Sequence, residues 1–422
     1  MSFVSIALLL IVVAFLVWVI WMGYLKSKNS GLAKYYFPAL IFKVICGVLL
    51  GLVYTFYYDG GDTFSYYDDA LLLLDQSFGE YLSHVFFTAV PYGQRSVVPL
   101  TKITSLVLLF TGKNYWLASV VFSAFSFFGA YFFVYQISVR FPKMIVPAVL
   151  AFLFFPSAVF WSSGILKESL VFGMVTFMSG VFLKFRFWNK VNVWQLILAI
   201  LFGWLMLKLK YYIAGVFLPL LLILTLVTFS ERSTILNRFK KSHRYLALVL
   251  VGVSILFWAT TLQYNLHPQR IFSVIKTNQT EILALSASAN SIHYIDETSS
   301  SIFIPINLGF AFLSGMFRPL IPHSVSATQL LTALENWTIL ILFLFSLKRK
   351  IVISTENKIL ICGCLTWVVV LATLLAYSTP NFGTLARYKV YYMPFFLFLL
   401  LWKNPLLKKV GIKGLWLTNR AV

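Results

Sequence analysis

The acidic residues of one short segment are the strongest candidates for chemistry in this sequence. The segment reads YYDGGDTFSYYDDA and contains Asp59, Asp62, Asp68 and Asp69 directly after an apolar run of membrane-spanning length. A carboxylate at the point where a span meets water can take a proton from a hydroxyl group, as a general base does. We take Asp62 as the candidate base and Asp59 as second choice, and interpret Asp68 and Asp69 as charges at a helix start. The alternative is that all four form a solvated cap on the span.

Basic residues near the same predicted membrane surface are candidates for binding an anionic group. Arginine binds phosphate through two parallel hydrogen bonds, and lysine binds it as a point charge. The candidates, in order of preference, are Arg387, Arg318, Lys208 and Lys210, followed by Lys167, Glu168 and Arg95 as further substrate-binding residues. The alternatives are snorkelling to lipid headgroups and, for Lys167 and Glu168, an ion pair at a helix start. Lys389 is interpreted as a headgroup contact.

Metal and nucleic-acid sites have little support in the sequence. The five histidines have no metal-ligand spacing, and Cys46, Cys362 and Cys364 all lie in apolar runs, so neither a disulfide framework nor a four-ligand metal site is predicted. Asp59 and Asp62 could hold a divalent cation, although no third ligand is evident, and the cofactor stays unassigned. The basic residues are scattered over short loops, which argues against nucleic-acid binding.

The elements that must position these residues are membrane helices. The 422 residues are 60% hydrophobic and 11% charged, with a mean hydropathy of +0.86, which is incompatible with a soluble domain. Runs long enough to cross roughly 30 Å of hydrocarbon lie at 4–22, 35–57, 115–138, 144–160, 169–185, 192–207, 211–229, 245–263, 331–347, 357–377 and 389–402. The sequence therefore predicts an all-α polytopic membrane protein with about eleven transmembrane helices, forming a single membrane domain over 1–422.

The basic residues also predict which loops face each side, because positive charge accumulates on cytoplasmic loops. All basic clusters fall on one side only if the short apolar stretches 97–111 and 303–317 do not cross and are interfacial or re-entrant helices. Glu231 and Glu356 are then the only acidic residues on the cytoplasmic side. The N-terminus is outside, the segments 58–114, 156–168, 208–210, 264–330 and 378–388 face outward, and 403–422 is a cytoplasmic tail. This topology, with attraction to anionic headgroups, explains the net charge of +21.

Two of the outward loops are long enough to have structure of their own. In the first, residues 66–90 are predicted to lie on the membrane surface as an amphipathic helix, ahead of the short helix at 97–111. In the second, residues 264–302 form the longest polar segment, interpreted as a mobile acceptor-binding lid or a variable loop.

The order of these parts resembles the GT-C superfamily of membrane glycosyltransferases, especially the protein O-mannosyltransferase and aminoarabinose transferase branch. The resemblance is carried by GGD at 60–62, VPLTKITSLVLLFTGKN at 98–114 and the span from Tyr115. FFPSAVFWSSGILKESLVFG at 154–173 looks like the family's connection between its fourth and fifth spans. In the C-terminal half, MFRPLIP at 316–322 and NFGTLARYK at 381–389 look more like bacterial polysaccharide polymerases.

The resemblance implies an inverting glycosyltransferase at the outer face of a bacterial inner membrane. Its donor would be a polyprenyl-phosphate-linked sugar, and its acceptor an envelope glycan, lipid or protein. Such a transfer needs a carboxylate to take the proton of the acceptor hydroxyl. It also needs cations to stabilise the negative charge of the departing phosphate. The nearest alternative is a polysaccharide or O-antigen polymerase, and the alternative from another class is a transporter or flippase for a lipid-linked glycan. A transporter is expected to have repeat symmetry with broken helices in both halves, and the sequence has no evident internal repeat.

Overall fold

The part of the chain that the structure describes is mostly helical. The computed structural model describes residues 3–28, 30–58, 61–88, 90, 97–187, 190–233, 240–260, 264–286, 290–295, 302–320, 327–348 and 355–409. Its α-helices are α1 (Phe3–Ser27), α2 (Ala33–Phe56), α3 (Asp62–Leu74), α4 (Phe78–Phe86), α5 (Val98–Phe110), α6 (Tyr115–Arg140), α7 (Ile145–Leu153), α8 (Pro156–Trp161), α9 (Lys167–Arg186), α10 (Val193–Leu209), α11 (Tyr211–Arg232), α12 (Lys241–Thr260), α13 (Pro268–Leu285), α14 (Phe303–Phe317), α15 (Ala327–Ser346), α16 (Thr355–Ser378), α17 (Phe382–Tyr388), α18 (Met393–Leu401) and α19 (Pro405–Lys409). In these ranges the one strand-type pairing is an isolated bridge between Ser291 and Asn381.

Six of the described helices are long and apolar enough to cross a membrane. They are Ala33–Phe56, Tyr115–Arg140, Lys167–Arg186, Tyr211–Arg232, Gln329–Ser346 and Asn357–Ser378. Four shorter apolar stretches accompany them, at Val98–Phe110, Pro142–Leu153, Val193–Leu209 and Phe303–Phe317. The prediction of an all-α membrane protein is confirmed, and the short helices predicted at 97–111 and 303–317 are present as α5 and α14.

Two of the predicted spans are not continuous helices. Residues 144–160 are divided because α7 ends at Leu153 and α8 begins at Pro156. Phe155 has extended backbone, with φ −68° and ψ 114°, which is the conformation that a following proline favours. Residues 389–402 are divided as well, because a 3₁₀ turn over Lys389–Tyr391 precedes α18, which has Pro394 in its first turn and only nine residues.

The helices belong to two compact units. The first unit comprises Met1–Ile145, Phe152–Val181 and Val191–Lys210. The second comprises Val146–Ala151, Phe182–Lys190 and Tyr211–Val422. The first therefore contains α1 to α6, α8, α10 and most of α9, and the second contains α11 to α19.

Small side chains allow close helix packing in the first unit. A Cβ atom added at Gly47 of α2 would lie 2.3 Å from Ser123 Oγ of α6, and one added at Gly129 of α6 would lie 2.1 Å from the carbonyl oxygen of Gly173 in α9. Small residues are the usual means of close approach between membrane helices, because apolar burial drives little association inside lipid. These contacts fix α2, α6 and α9 against one another.

In the first predicted outer loop, α3 packs against α5. It begins at Asp62 after Gly61, whose φ of 117° would strain any residue with a side chain. Asp68 and Asp69 therefore lie in the second turn of α3, and their interpretation as helix-start charges is wrong. Burial, with the charge of Asp68 as a smaller cause, raises the pKa of Asp69.

A separate helix, α4, follows three residues after α3. The Ser77 hydroxyl accepts a hydrogen bond from the Glu80 N–H, and the Glu80 carboxylate accepts bonds from the Ser77 N–H and hydroxyl. This capping box starts α4, and the Ser77 bonds hold the pKa of Glu80 below its usual range. The single amphipathic helix predicted over 66–90 is thus two helices separated by a capped break.

In the second unit, α16 is the central helix, with α11, α13, α14, α17 and α18 packed against it. The segment 264–302, interpreted as a lid or loop, contains the 18-residue helix α13. Asn278 of α13 bonds the Tyr211 hydroxyl, and Gln279 Nε2 donates to the Tyr377 carbonyl at 3.3 Å. Two sequence features indicate α13, namely Pro268 at its start and apolar residues at helical spacing. The many polar residues of this segment led instead to the prediction of a lid or loop.

Candidate functional site

Asp62, the candidate base, is the first residue of α3 and is partly exposed. An acidic side chain in a first turn also complements the positive end of the helix dipole. The start of α3 is anchored to the start of α6, because Thr63 Oγ1 lies 2.9 Å from Tyr115 Oη and the Phe64 ring stacks on Tyr115 with centroids 4.6 Å apart. Asp62 is therefore carried on a firmly held helix start.

Tyr66 links this helix start with a second group of candidates. It lies one turn after Asp62, on the same face of α3, and is buried. Lys167, the first residue of α9, places Nζ 5.9 Å from the centroid of the Tyr66 ring. That distance is at the edge of the range of cation–π attraction, about 6 Å. The first unit thus places Lys167 beside the helix that carries the candidate base.

Glu168 and Lys210 form a buried ion pair in the same unit. Lys210 Nζ lies 2.8 Å from Glu168 Oε1, and the two side chains are only 5% and 3% exposed. Lys167 and Glu168 are the first two residues of α9, as the interpretation of a helix start predicted. The partner of Glu168 is Lys210, which lies 42 residues further along the chain. Because Lys210 already has a carboxylate partner, it is less available to a phosphate than a cation without one.

Lys43 is a buried cation that the sequence analysis missed. It lies near the middle of α2, is 4% exposed, and donates to the Val159 carbonyl at 3.4 Å and to the Ser162 hydroxyl. Its ammonium also lies 5.5 Å from the Phe172 ring. A lysine inside an apolar span is costly unless it has partners, and this was the signal available in the sequence. Through these bonds Lys43 connects α2 with the segment before α9. It therefore helps to position Lys167 and Glu168, the two candidate residues at the start of α9.

Arg318 is the C-cap residue of α14 in the second unit, and its guanidinium lies near two aromatic rings. Its Cζ atom lies 5.3 Å from the centroid of Phe310 and 5.0 Å from that of Phe382. Within the described residues, no carboxylate pairs with this guanidinium and no acceptor bonds it. Burial lowers the pKa of Arg318, and the nearby Tyr294 partly opposes this, but the group stays charged because arginine titrates above pH 12.

Lys389 does not contact headgroups, contrary to its interpretation from the sequence. It is 5% exposed, and its Nζ donates to the Arg318 carbonyl at 2.9 Å and to Asn336 Oδ1 at 2.8 Å. Its two acceptors lie 71 and 53 residues away along the chain, so no local sequence pattern indicates them. Lys389 is an internal residue of the second unit that holds the backbone of Arg318.

The other candidates have less definite surroundings. Arg387, the first choice for phosphate, lies in the last turn of α17 with Cζ 5.7 Å from the Tyr388 ring. Lys208 is exposed in the last turn of α10, where a cation complements the helix dipole. Asp59 and Arg95 lie outside the described residues.

The described residues contain no group of three or more histidine, cysteine, aspartate or glutamate side chains that could hold a metal ion. Chemically, the first unit offers a partly exposed carboxylate on α3, whose Tyr66 ring lies near Lys167. The second unit offers a guanidinium near two aromatic rings. Comparison of the chain with protein-family models, with curated proteins and with solved structures finds no match.

Proposed function

We propose that this protein is a membrane glycosyltransferase that uses a polyprenyl-phosphate-linked sugar. The observation that carries the proposal is the guanidinium of Arg318, which lies near the rings of Phe310 and Phe382 and has no acceptor or carboxylate among the described residues. A snorkelling arginine would extend its head into water. This side chain instead runs back along α14 to Phe310, which precedes it by eight residues, and rests on two apolar rings.

Such a guanidinium fits the phosphate of a lipid-linked donor. Aromatic faces stabilise the cation without using its N–H groups, so the donors stay available to an anion. Two parallel N–H bonds to phosphate oxygens are strong where water is scarce. Arg318 therefore replaces Arg387 as the leading candidate phosphate ligand, and Arg387 is the further candidate in the same unit. Lys208 and Lys167 remain the candidates of the first unit.

The proposed reaction uses Asp62 as the base. Its carboxylate takes the proton of the acceptor hydroxyl as the oxygen attacks the anomeric carbon, and the bond from that carbon to the phosphate oxygen breaks. The electron pair leaves with the polyprenyl phosphate, whose negative charge a cation stabilises, and Lys167 is the candidate cation in the same unit as Asp62. A single displacement of this kind inverts the anomeric configuration. The acceptor is an envelope glycan, lipid or protein at the outer face of a bacterial inner membrane.

The proposal includes the predicted topology of about eleven crossings with the N-terminus outside. It places α3, α4 and α5 at the outer surface as interfacial helices, together with the starts of α6 and α9. Within the first unit, Asp62 and Lys167 then lie at the depth where a lipid-linked sugar presents its phosphate.

Two measurements test the proposal. Purified protein in nanodiscs is expected to be stabilised by undecaprenyl phosphate and not by undecaprenol, by about 2.7 kcal/mol at a ligand concentration of about a hundred times Kd. Arg318→Lys keeps the charge but loses the planar fork, so it should lose most of this difference. Equal stabilisation by both lipids would remove the proposed phosphate site.

The second measurement concerns the base. Asp62→Asn is nearly isosteric and removes the proton acceptor, so sugar transfer from a polyprenyl-phosphate donor to membrane acceptors should fall by about 10²-fold or more. Asp68→Asn, on the same helix and exposed, is the matched control and should transfer normally. Normal transfer by both variants would contradict the assignment of Asp62.

A further inference from the structure

The backbone that follows α14 is held by side chains at three successive carbonyl groups. Lys389 Nζ donates to the Arg318 carbonyl at 2.9 Å, Asn336 Nδ2 to the Pro319 carbonyl at 2.8 Å, and Trp337 Nε1 to the Leu320 carbonyl at 2.9 Å. The last four carbonyls of a helix and those just beyond it have no partners within the helix. Side chains of α15 and of the turn before α18 supply those partners here.

Two of these side chains are buried and bonded to each other. Lys389 is 5% exposed and Asn336 is 2% exposed, and Lys389 Nζ also donates to Asn336 Oδ1 at 2.8 Å. The Asn336 amide therefore accepts from Lys389 with its oxygen and donates to the Pro319 carbonyl with its nitrogen. Glu335, the neighbouring residue of α15, supplies the nearby negative charge for the ammonium.

A further side chain bonds the main chain in the last turn of α14. The Tyr392 hydroxyl, which is fully buried, donates to the Gly315 carbonyl at 2.7 Å. Gly315 itself lies against the backbone of α16, where an added Cβ would be 2.3 Å from the Ala372 carbonyl oxygen. Side chains thus bond the main chain both before and after Arg318, so this backbone has little freedom to move.

We propose that Lys389 and Asn336 are positioning residues for Arg318. They set its backbone so that the guanidinium is already oriented against Phe310 and Phe382 when it meets a lipid phosphate. This inference rests on the proposed function, because it assigns a purpose to the phosphate site. A preoriented arginine binds an anion without first losing rotational freedom, and small displacements of such a group weaken binding strongly. Lys389 and Asn336 themselves need not touch the ligand.

The test measures the affinity of purified protein in nanodiscs for undecaprenyl phosphate, with undecaprenol as the uncharged probe, from ligand-dependent thermal stabilisation. Lys389→Met and Asn336→Leu are expected to weaken binding of undecaprenyl phosphate on the order of tenfold or more. The matched control is Asn404→Leu, since Asn404 is also a buried asparagine of the second unit that donates to two carbonyls, those of Leu342 and Leu400. Asn404→Leu should lower the melting temperature without ligand and leave the affinity unchanged.

Trp337→Phe gives a milder variant if the buried ones fail to fold. It keeps a smaller aromatic ring at an exposed position and removes the bond to the Leu320 carbonyl, so a smaller, measurable loss of affinity is expected. Variants that lower the melting temperature but bind undecaprenyl phosphate as tightly as wild type would show that Lys389 and Asn336 are structural only. If wild-type protein does not distinguish undecaprenyl phosphate from undecaprenol, the proposed function fails, and this inference fails with it.

Discussion

Removing one partner of the Glu168–Lys210 pair should destabilise the first unit strongly. At a separation of 2.8 Å, and with an effective dielectric constant of about 20, the attraction between the charges is about 6 kcal/mol before desolvation is subtracted. Glu168→Gln keeps the shape of the side chain and leaves the Lys210 ammonium buried without its counter-charge. Breaking a buried pair in this way costs about 3–5 kcal/mol. The apparent melting temperature should fall on the order of 5–10 °C.

The assay is thermal unfolding of purified protein in one detergent at one heating rate, because membrane proteins often unfold irreversibly. The double variant Glu168→Gln with Lys210→Met removes both charges and should recover much of the loss, which gives a large coupling energy. Asp75→Asn is the control, since Asp75 pairs with Lys113 at 2.5 Å while both side chains are at least half exposed. Such exposed pairs contribute about 0–1 kcal/mol. Equal, small effects of Glu168→Gln and Asp75→Asn would refute the reasoning.

Three further predictions concern topology and helix packing. Cysteines introduced at Ser65 and Asn290 should react with an impermeant thiol reagent from outside the cell, whereas one at Ser242 should not. Labelling at Ser242 alone would contradict the predicted topology. Ser77→Ala removes the hydroxyl that starts α4 and should lower stability by about 0.5–2 kcal/mol, measured by thermal unfolding against the unaltered chain. Gly129→Ala would force a methyl group against the backbone of α9, and overpacking of this kind costs about 1–3 kcal/mol. Wild-type stability of this variant would mean that α6 and α9 separate easily.

Length and composition predicted the helices well, because an apolar run needs only its own residues to form one. α5 and α14 were expected from short runs and lie within one residue of the predicted bounds. The division of 144–160 was missed because the run is apolar on both sides of Pro156, and hydropathy alone does not register a proline. The helix α13 was missed for the opposite reason, since its polar composition hides its periodicity.

The candidate residues were predictable by type, and their surroundings were not. Arg318 was selected because arginine suits phosphate, yet Lys389 reaches its carbonyl from 71 residues away, and Asn336 is 53 residues from Lys389. The Phe382 ring beside it also comes from a distant segment. Contacts between distant segments depend on how the helices pack, and a single sequence does not specify that. A lysine within an apolar run, as at Lys43, was the one signal that pointed to a buried partner.

The partners of Lys43 also bear on how the protein is assembled during synthesis. α2 leaves the ribosome before Val159 and Ser162, which lie 116 and 119 residues further along the chain. A lysine at the centre of a span raises the free energy of insertion by about 2.5–3.5 kcal/mol, and the apolar residues of α2, with a mean hydropathy of 2.2, must offset it. Until α8 arrives, the ammonium draws water into the bilayer or holds α2 away from its final depth. The arrival of α8 therefore completes the insertion of a helix made much earlier.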